Sequence, residues 1–309
     1  MNRTPEERAD ELFDAAKAKS DAGDDQAALA LYLESLALDR KQPSALYNVG
    51  LIYKYRRDWK ECLRYNRLAA ELRPDDEATN WNIGIAATAL REWRIAREAW
   101  KRAGLTVDDG DAPIAGKFGY TPVRLNGFEG TDAPAEVVWA TRLSPVTARV
   151  ENIPTPATRF RFGDVVLHDG AANGTRLYAP GDERPVFDVF EVFEPSDYMT
   201  FDVHLIAPRS EAIEELEAAC EAADVQVEDW TKTCGFFAGR AARAARTNST
   251  TIHSRTMSGR LSGALALRRK MKRRSTRSSS IGKLRIKRGE WSRWIPSATK
   301  LTAVRMDRP

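Results

Sequence analysis

The residues of this 309-residue chain with the readiest catalytic or metal-binding chemistry are three histidines and three cysteines, and two of the histidines stand near carboxylates. His168 lies beside Asp169 and four residues after Asp164, and His204 lies two residues after Asp202. A carboxylate beside an imidazole can set its tautomer and raise its basicity, which is how a general base is assembled. Each pair also has a plainer reading. His-Asp-Gly after a valine run is a strand end entering a turn, and Asp202 with His204 on one strand face is a solvated pair. Cys220 falls on the apolar stripe of an alanine-rich segment, where a thiol packs rather than attacks. Cys62, Cys220 and Cys234 make an odd count without CxxC spacing, which fits reduced thiols better than a disulfide framework. With no Gly-rich phosphate loop, HExxH or GxSxG, the sequence names no cofactor and no metal site, and the chain is expected not to be an enzyme.

The net charge of +4 conceals a division. Residues 1–233 carry 28 Lys+Arg against 42 Asp+Glu, whereas residues 234–309 carry 20 against 2. Two parts with such opposite balances obey different rules. No run approaches the ~18 uncharged apolar residues of a transmembrane segment, and the start, MNRTPEERADELFD, is too polar and acidic for a secretory signal. The expected location is cytoplasmic.

The elements that must hold any site begin with a repeat. Asn48 and Asn82, Gly50 and Gly84, Trp59 and Trp93, and Ala69 and Ala103 are each 34 residues apart. The same register aligns Ala16 with Gly50, Ala28 with Cys62 and Ala96, Tyr32 with Asn66 and Trp100, and Ser35 with Ala69 and Ala103, so three units are visible. Small residues at 16/50/84 and 28/62/96 let two helices approach closely, and bulky ones such as Tyr53 fill the gaps. Trp59 and Trp93 open second helices after short polar turns, and Pro74 with Asp75 follows a helix end.

Over about 100 residues this pattern resembles the tetratricopeptide repeat family, more closely in units two and three than in unit one, where Arg40 stands in place of the terminal proline. The resemblance implies three helical hairpins whose first helices line a concave groove. The positions it marks in that groove are Phe13, Tyr47 and Trp81; Asp14, Asn48 and Asn82; Lys17, Leu51 and Ile85; and Lys54 and Thr88. Paired asparagines would hold an extended peptide by its backbone amides while the aromatics supply anchor area, although Tyr47 and Trp81 equally suit packing between units. Family members that clamp a ligand's terminal carboxylate use lysines; Ser44 and Ala78 stand where one would be wanted, which disfavours a chaperone-tail ligand.

After a Gly/Pro/Asp-rich connector the pattern becomes strand-like. Strands are predicted at 136–142, 148–153, 160–162, 165–168, 185–193 and 199–206, separated by turns at Ser-Pro, Pro-Thr-Pro, His-Asp-Gly, Asn-Gly and Pro-Gly-Asp. Met199, Phe201, Val203 and Leu205 alternate with Thr200, Asp202 and His204, which assigns the first set to a buried face. Ser210 is placed to cap a helix bearing Ile213, Leu216, Ala219 and Cys220, and a strand at 225–230 closes a β-α-β unit. The predicted organisation is a tetratricopeptide-like α-solenoid (1–106), a linker (107–122), a small and mostly antiparallel α+β domain with a bent sheet or partial barrel (123–233), and a disordered basic tail (234–309).

The segments FRFGDVVLHDG (160–170) and RPVFDVFEV (184–192), placed after the repeats, make residues 40–233 similar to a group of bacterial tetratricopeptide proteins, a resemblance that implies no activity. Members of that group end in a Cys/His-rich segment, and this chain departs from them there. Three readings of the tail stay open. The run RRKMKRR (268–274), with Trp291 and Trp294 for stacking, suits nucleic acid or an anionic surface. Residues 256–274 suit a basic amphipathic helix for a membrane or an acidic partner. A reading frame shifted near Thr233 would also give such a composition, since codons read two bases later permit a Cys/His-rich string; Cys234 and His253 alone would then supply too few ligands for a metal. The leading expectation is a scaffold that binds a protein or peptide in the repeat groove, with nucleic acid reached through the tail only and a catalytic centre at His168 and His204 as the remaining alternative.

Overall fold

The structure, a computed structural model, describes residues 4–116, 118–128, 131–207, 211–222, 226–229, 261–270 and 300–305. Six helices come first: α1 (Pro5–Asp21), α2 (Asp25–Leu38), α3 (Pro43–Tyr55), α4 (Trp59–Leu72), α5 (Glu77–Ala89) and α6 (Trp93–Arg102). The starts of α2, α4 and α6 recur at the 34-residue interval, and so do those of α3 and α5, so the three expected hairpins are present and the region is tetratricopeptide-like.

Local chemistry sets these boundaries. Thr4 accepts from Glu7 N and the Glu7 side chain returns the bond, a full capping box ahead of Pro5. Asp24, Asp58 and Asp76 cap α2, α4 and α5 through the amides of Ala27, Glu61 and Thr79. Inside each hairpin the chain reverses through a left-handed residue at the same register: Gly23 (φ 80°), Arg57 (φ 59°) and Arg91 (φ 62°). The close approach expected of the small residues is also there. A Cβ on Gly84 would stand 2.4–2.5 Å from the Trp100 ring, and one on Gly50 would stand 2.2 Å from Asn66 Nδ2.

Five strands follow: β1 (Tyr120–Leu125), β2 (Glu136–Arg142), β3 (Thr147–Val150), β4 (Val165–Ala179) and β5 (Asp182–Glu194), hydrogen-bonded in that order and closed as a barrel. The expected strand at 136–142 is reproduced. The one at 160–162 is not; a 3-10 turn at Pro156–Thr158 and the left-handed Arg159 (φ 67°) keep the chain irregular there, with Phe160 and Phe162 buried nonetheless. Two expected turns are corrected as well. His-Asp-Gly and Asn-Gly both lie inside β4, because the His168 amide donates to Val146 O and Gly174 takes a positive φ (92°) within the strand. The reversal comes at Pro180 and Gly181, making β4 and β5 one long ribbon.

Beyond the barrel lie β6 (Tyr198–Ala207), α7 (Glu211–Ala222) and β7 (Gln226–Asp229), then β8 (Leu261–Lys270) and β9 (Lys300–Arg305). The sheet order is β7-β8-β6-β9, so β8 enters between the two strands of the expected β-α-β unit. β8 runs antiparallel to β6 from Tyr198↔Lys270 to Ala207↔Leu261, which makes 261–270 extended rather than helical, and β9 puts a second strand in the segment expected to be a disordered tail. The Ser210 cap, the 268–274 run beyond Lys270, Trp291, Trp294, Cys234 and His253 lie outside the described residues. Among the described residues, no helix is long and apolar enough to cross a membrane.

The chain separates into two compact units. The first comprises Met1–Val123, Thr141–Ala148 and Val166–Phe193; the second comprises Arg124–Ala140, Arg149–Val165 and Glu194–Pro309. Most of the β4–β5 ribbon therefore belongs with the helices, an association between distant segments that periodicity does not reveal. In the second unit Glu228 accepts from Ile153 N (2.6 Å) and Asn152 Nδ2 (3.1 Å), Glu136 from Thr155, and Phe162 meets Tyr198 edge to face at 5.1 Å.

Candidate functional site

The residues marked for the groove stand on α1, α3 and α5, the first helix of each hairpin. On α1, Phe13 is half-buried with its ring 5.6 Å from that of Tyr32, Asp14 is exposed, and the exposed Lys17 pairs with Asp21 at 2.9 Å. On α3, Tyr47, Asn48 and Leu51 are half-buried. The asparagines are turned to a task not foreseen from their spacing. Asn48 Nδ2 donates to Tyr32 Oη (3.0 Å) and Asn82 Nδ2 to Asn66 Oδ1 (3.4 Å), so each amide ties its hairpin to the one before, at the same 16-residue offset. Tyr47 bonds to the Asn82 side chain, and burial, the larger effect, raises its phenol above the ordinary range.

Towards the third hairpin the same face is covered by the ribbon of the first unit. Lys54 Nζ lies 3.2 Å from both carboxylate oxygens of Asp169 in β4, with the two side chains only 5% and 7% exposed. Tyr55 Oη stands 3.5 Å from Asp169 Oδ2, and burial first, then the Asp169 charge, pushes its phenol strongly upward. Trp81 crosses the Trp100 ring at 5.0 Å and meets Gly170 so closely that a Cβ there would stand 2.6 Å from the indole. Asn82, Ile85 and Thr88 are buried. The face thus divides into a covered set (Lys54, Trp81, Asn82, Ile85, Thr88) and an accessible set (Phe13, Asp14, Lys17, Tyr47, Asn48, Leu51).

The repeated tryptophans explain how the ribbon is held. Trp59 meets Phe190 edge to face (5.2 Å, 81°), and Trp93 meets Phe193 in the same way (6.2 Å, 83°). Trp59 Nε1 donates to Glu191 Oε1 at 2.9 Å, while Arg91 lies over the Phe193 ring at 4.4 Å and donates to its carbonyl at 3.2 Å. Phe190, Glu191 and Phe193 were not singled out by sequence, and Asp169 was marked only as a carboxylate for His168, not as the partner of Lys54. The available signal was the run VFDVFEVF (186–193), whose apolar residues fail to alternate and so need burial on both sides of the strand.

The groups around His168 are engaged within the fold. His168 is fully buried; Nδ1 lies 2.7 Å from Asp169 O, and since a carbonyl only accepts, Nδ1 carries the proton. Burial, helped by the Arg142 charge and opposed by the bond to Asp169, lowers its pKa to about 3, so the ring is neutral and remote from solvent. The Asp169 carboxylate faces Lys54, and Asp164 accepts from the amides of Arg161 (2.9 Å) and Ser196 (2.7 Å), holding a loop. Burial pushes the Cys62 thiol up to about 12 and raises that of Cys220. His204 lies in β6, and its side chain and that of Asp202 lie outside what is described.

No protein-family model and no curated protein matches the chain. Among solved structures, the second TPR of Spaghetti (RPAP3) bound to HSP90 peptide SRMEEVD is similar at 17% identity, covering 32% of this chain and 91% of that one with a TM-score of 0.30. The first TPR of the same protein, bound to the same peptide, is similar at 19% identity, with 31% and 76% covered and a TM-score of 0.30. The Sgt2 TPR domain from Aspergillus fumigatus is similar at 20% identity, with 31% and 63% covered and a TM-score of 0.29.

Proposed function

We propose that the chain is a binding scaffold whose accessible inner face, on α1 and α3, receives an extended peptide or the edge of a partner protein. The observation that carries this reading is the division of the face. The ribbon seats itself on the second and third hairpins through Lys54–Asp169, Trp59–Phe190 and Trp93–Phe193, which leaves Phe13, Tyr47 and Leu51 as half-exposed apolar area beside Asp14 and Lys17. Half-exposed aromatic area rimmed by charge is the composition of an interface hot spot. With Asn48 and Asn82 engaged between hairpins, the affinity of this face comes from its apolar side chains and the Asp14 carboxylate rather than from an asparagine ladder. Binding without turnover is the consistent role, since the best-placed imidazole, that of His168, is buried and neutral.

The test is a selection of displayed random peptides on the full chain, followed by calorimetry of the selected peptides against the wild type and an Asp14→Lys, Leu51→Glu double variant. Weakening by about tenfold or more is the expected result for a hot-spot pair. A library that yields no binder, or binders indifferent to the double variant, would count against the reading.

A further inference from the structure

The outer side of the helical array carries two grooves built at the same place in successive repeats. One, between α2 and α4, has a volume of about 440 Å³, and the other, between α4 and α6, about 370 Å³. Eight of the ten lining residues of each correspond at the 34-residue interval: Leu33 in the first is Arg67 in the second, Ala37 is Glu71, and Leu68 is Arg102. Even the floor follows the rule, with Leu46 opposite Asn80. The second groove shows that this helix packing accommodates charge at these positions. Leu36, Leu46 and Tyr65 at the floor of the first groove belong to the hydrophobic core, but Leu33 and Leu68 stand where the second groove has Arg67 and Arg102, so apolar side chains at those two positions are not required by the packing of the repeat. Leu38, Leu68 and Leu72, among the more exposed large apolar side chains of the described residues at 39%, 37% and 40%, all stand on the two helices that form it.

We propose that this groove is a self-association surface, filled in solution by α4 of a second copy about a two-fold axis near Leu68. The occupant is identified by charge. On α4, Arg64 stands four residues before Leu68 and Glu71 three residues after it; both are exposed, and within one copy Arg64 donates to Glu61 through Nε (2.9 Å) and Nη2 (2.6 Å). When the helix is laid antiparallel on itself at Leu68, position 71 falls opposite position 65, so the partner's Glu71 joins the exposed Arg64–Glu61 pair of each copy as a second carboxylate on the guanidinium. The ion pair forms twice, one on each side of the leucines. An acidic helix in the same groove would oppose Glu71, and a basic one would oppose Arg40 and Arg64; a second copy of α4 matches both signs. Ridges of leucine from each α4 would enter the space between α2 and α4 of the other, the ordinary way in which helices interlock.

Sedimentation velocity of the full chain over two decades of concentration tests this. The wild type is expected to be dimeric, and Leu68→Arg, which installs the residue that the next repeat already carries, is expected to be monomeric with unchanged circular dichroism and melting. Arg64→Glu and Glu71→Arg are each expected to weaken the dimer by about tenfold, and the two together to restore it. A monomeric wild type, a dimer indifferent to Leu68→Arg, or a double charge reversal no stronger than the single ones would each overturn the proposal. Because peptide binding uses α1 and α3, its success or failure is read separately.

Discussion

Removing one partner of the Lys54–Asp169 pair is the sharpest test of how the ribbon is held on the helices. The ammonium sits 3.2 Å from both oxygens, with each side chain more than nine-tenths buried. At that distance and an effective dielectric of about 20, the Coulomb attraction is about 5 kcal/mol, and it is offset by the desolvation of two charges. The net worth of the pair is therefore small, but the cost of orphaning one member is not. Lys54→Met leaves a buried carboxylate with only Tyr55 Oη at 3.5 Å and Ala171 N at 3.3 Å, and Asp169→Asn leaves a buried ammonium facing an amide and the Tyr55 ring at 4.7 Å. Each single variant should lose about 3–5 kcal/mol. The double variant, with neither charge to desolvate, should lose far less than the sum. Urea unfolding followed by tryptophan fluorescence reads these values, and Trp59 and Trp93 report directly because their rings rest on Phe190 and Phe193. Single variants that cost under about 1 kcal/mol, or a double variant as unstable as the two singles added together, would refute the buried pair.

The other expectations rest on equally local geometry. Gly84→Ala would gain up to about 1 kcal/mol in an exposed helix, but here the new methyl meets the fully buried Trp100 ring, so thermal melting should show a loss of about 1–3 kcal/mol. A stabilised variant would show that the helices do not approach as closely as described. His168 has a folded pKa of about 3 against an ordinary 6.5, so the unfolded chain takes up the proton first as the pH falls. Its contribution to stability is complete above about pH 6.5 and is lost towards pH 3, at about 1.4 kcal/mol per unit. A His168 imidazole resonance, assigned by its loss in His168→Gln, that titrates near 6.5 in the folded protein would contradict this, as would an acid unfolding profile that His168→Gln leaves unchanged.

The helices were legible because a short period repeats three times and each recurrence reinforces the others. Small residues at 50 and 84 meet Asn66 and Trp100 in the structure, as their spacing requires. The left-handed turn residue was hidden because its first occurrence is Gly23 while the next two are arginines, which composition does not mark for positive φ. Asn173 and Gly174 read as a hairpin turn but form an irregularity inside β4, since a turn signal carries no information about whether the ladder resumes beyond it. The groove was only half legible. Its positions followed from the repeat, but what covers Lys54 and Trp81 lies more than 80 residues further along the chain, and no local pattern encodes that encounter.

The ribbon is gripped at intervals set by the strand, in which three residues of extended chain advance about 10 Å. Phe190 and Phe193 are three residues apart on β5, and Trp59 and Trp93 open helices of successive repeats, so one strand can offer one ring to each repeat without bending. Phe190 and Glu191 point to opposite faces of an ideal strand, yet the ring of one and the carboxylate of the other both reach Trp59. The contact uses the helix-opening tryptophans, and the position equivalent to Trp59 in the first repeat is Asp25, whose carbonyl accepts from Arg56. The first repeat thus departs from the other two at the residue that grips the ribbon, and the inner face of α1 and α3 keeps Phe13, Tyr47 and Leu51 half-exposed.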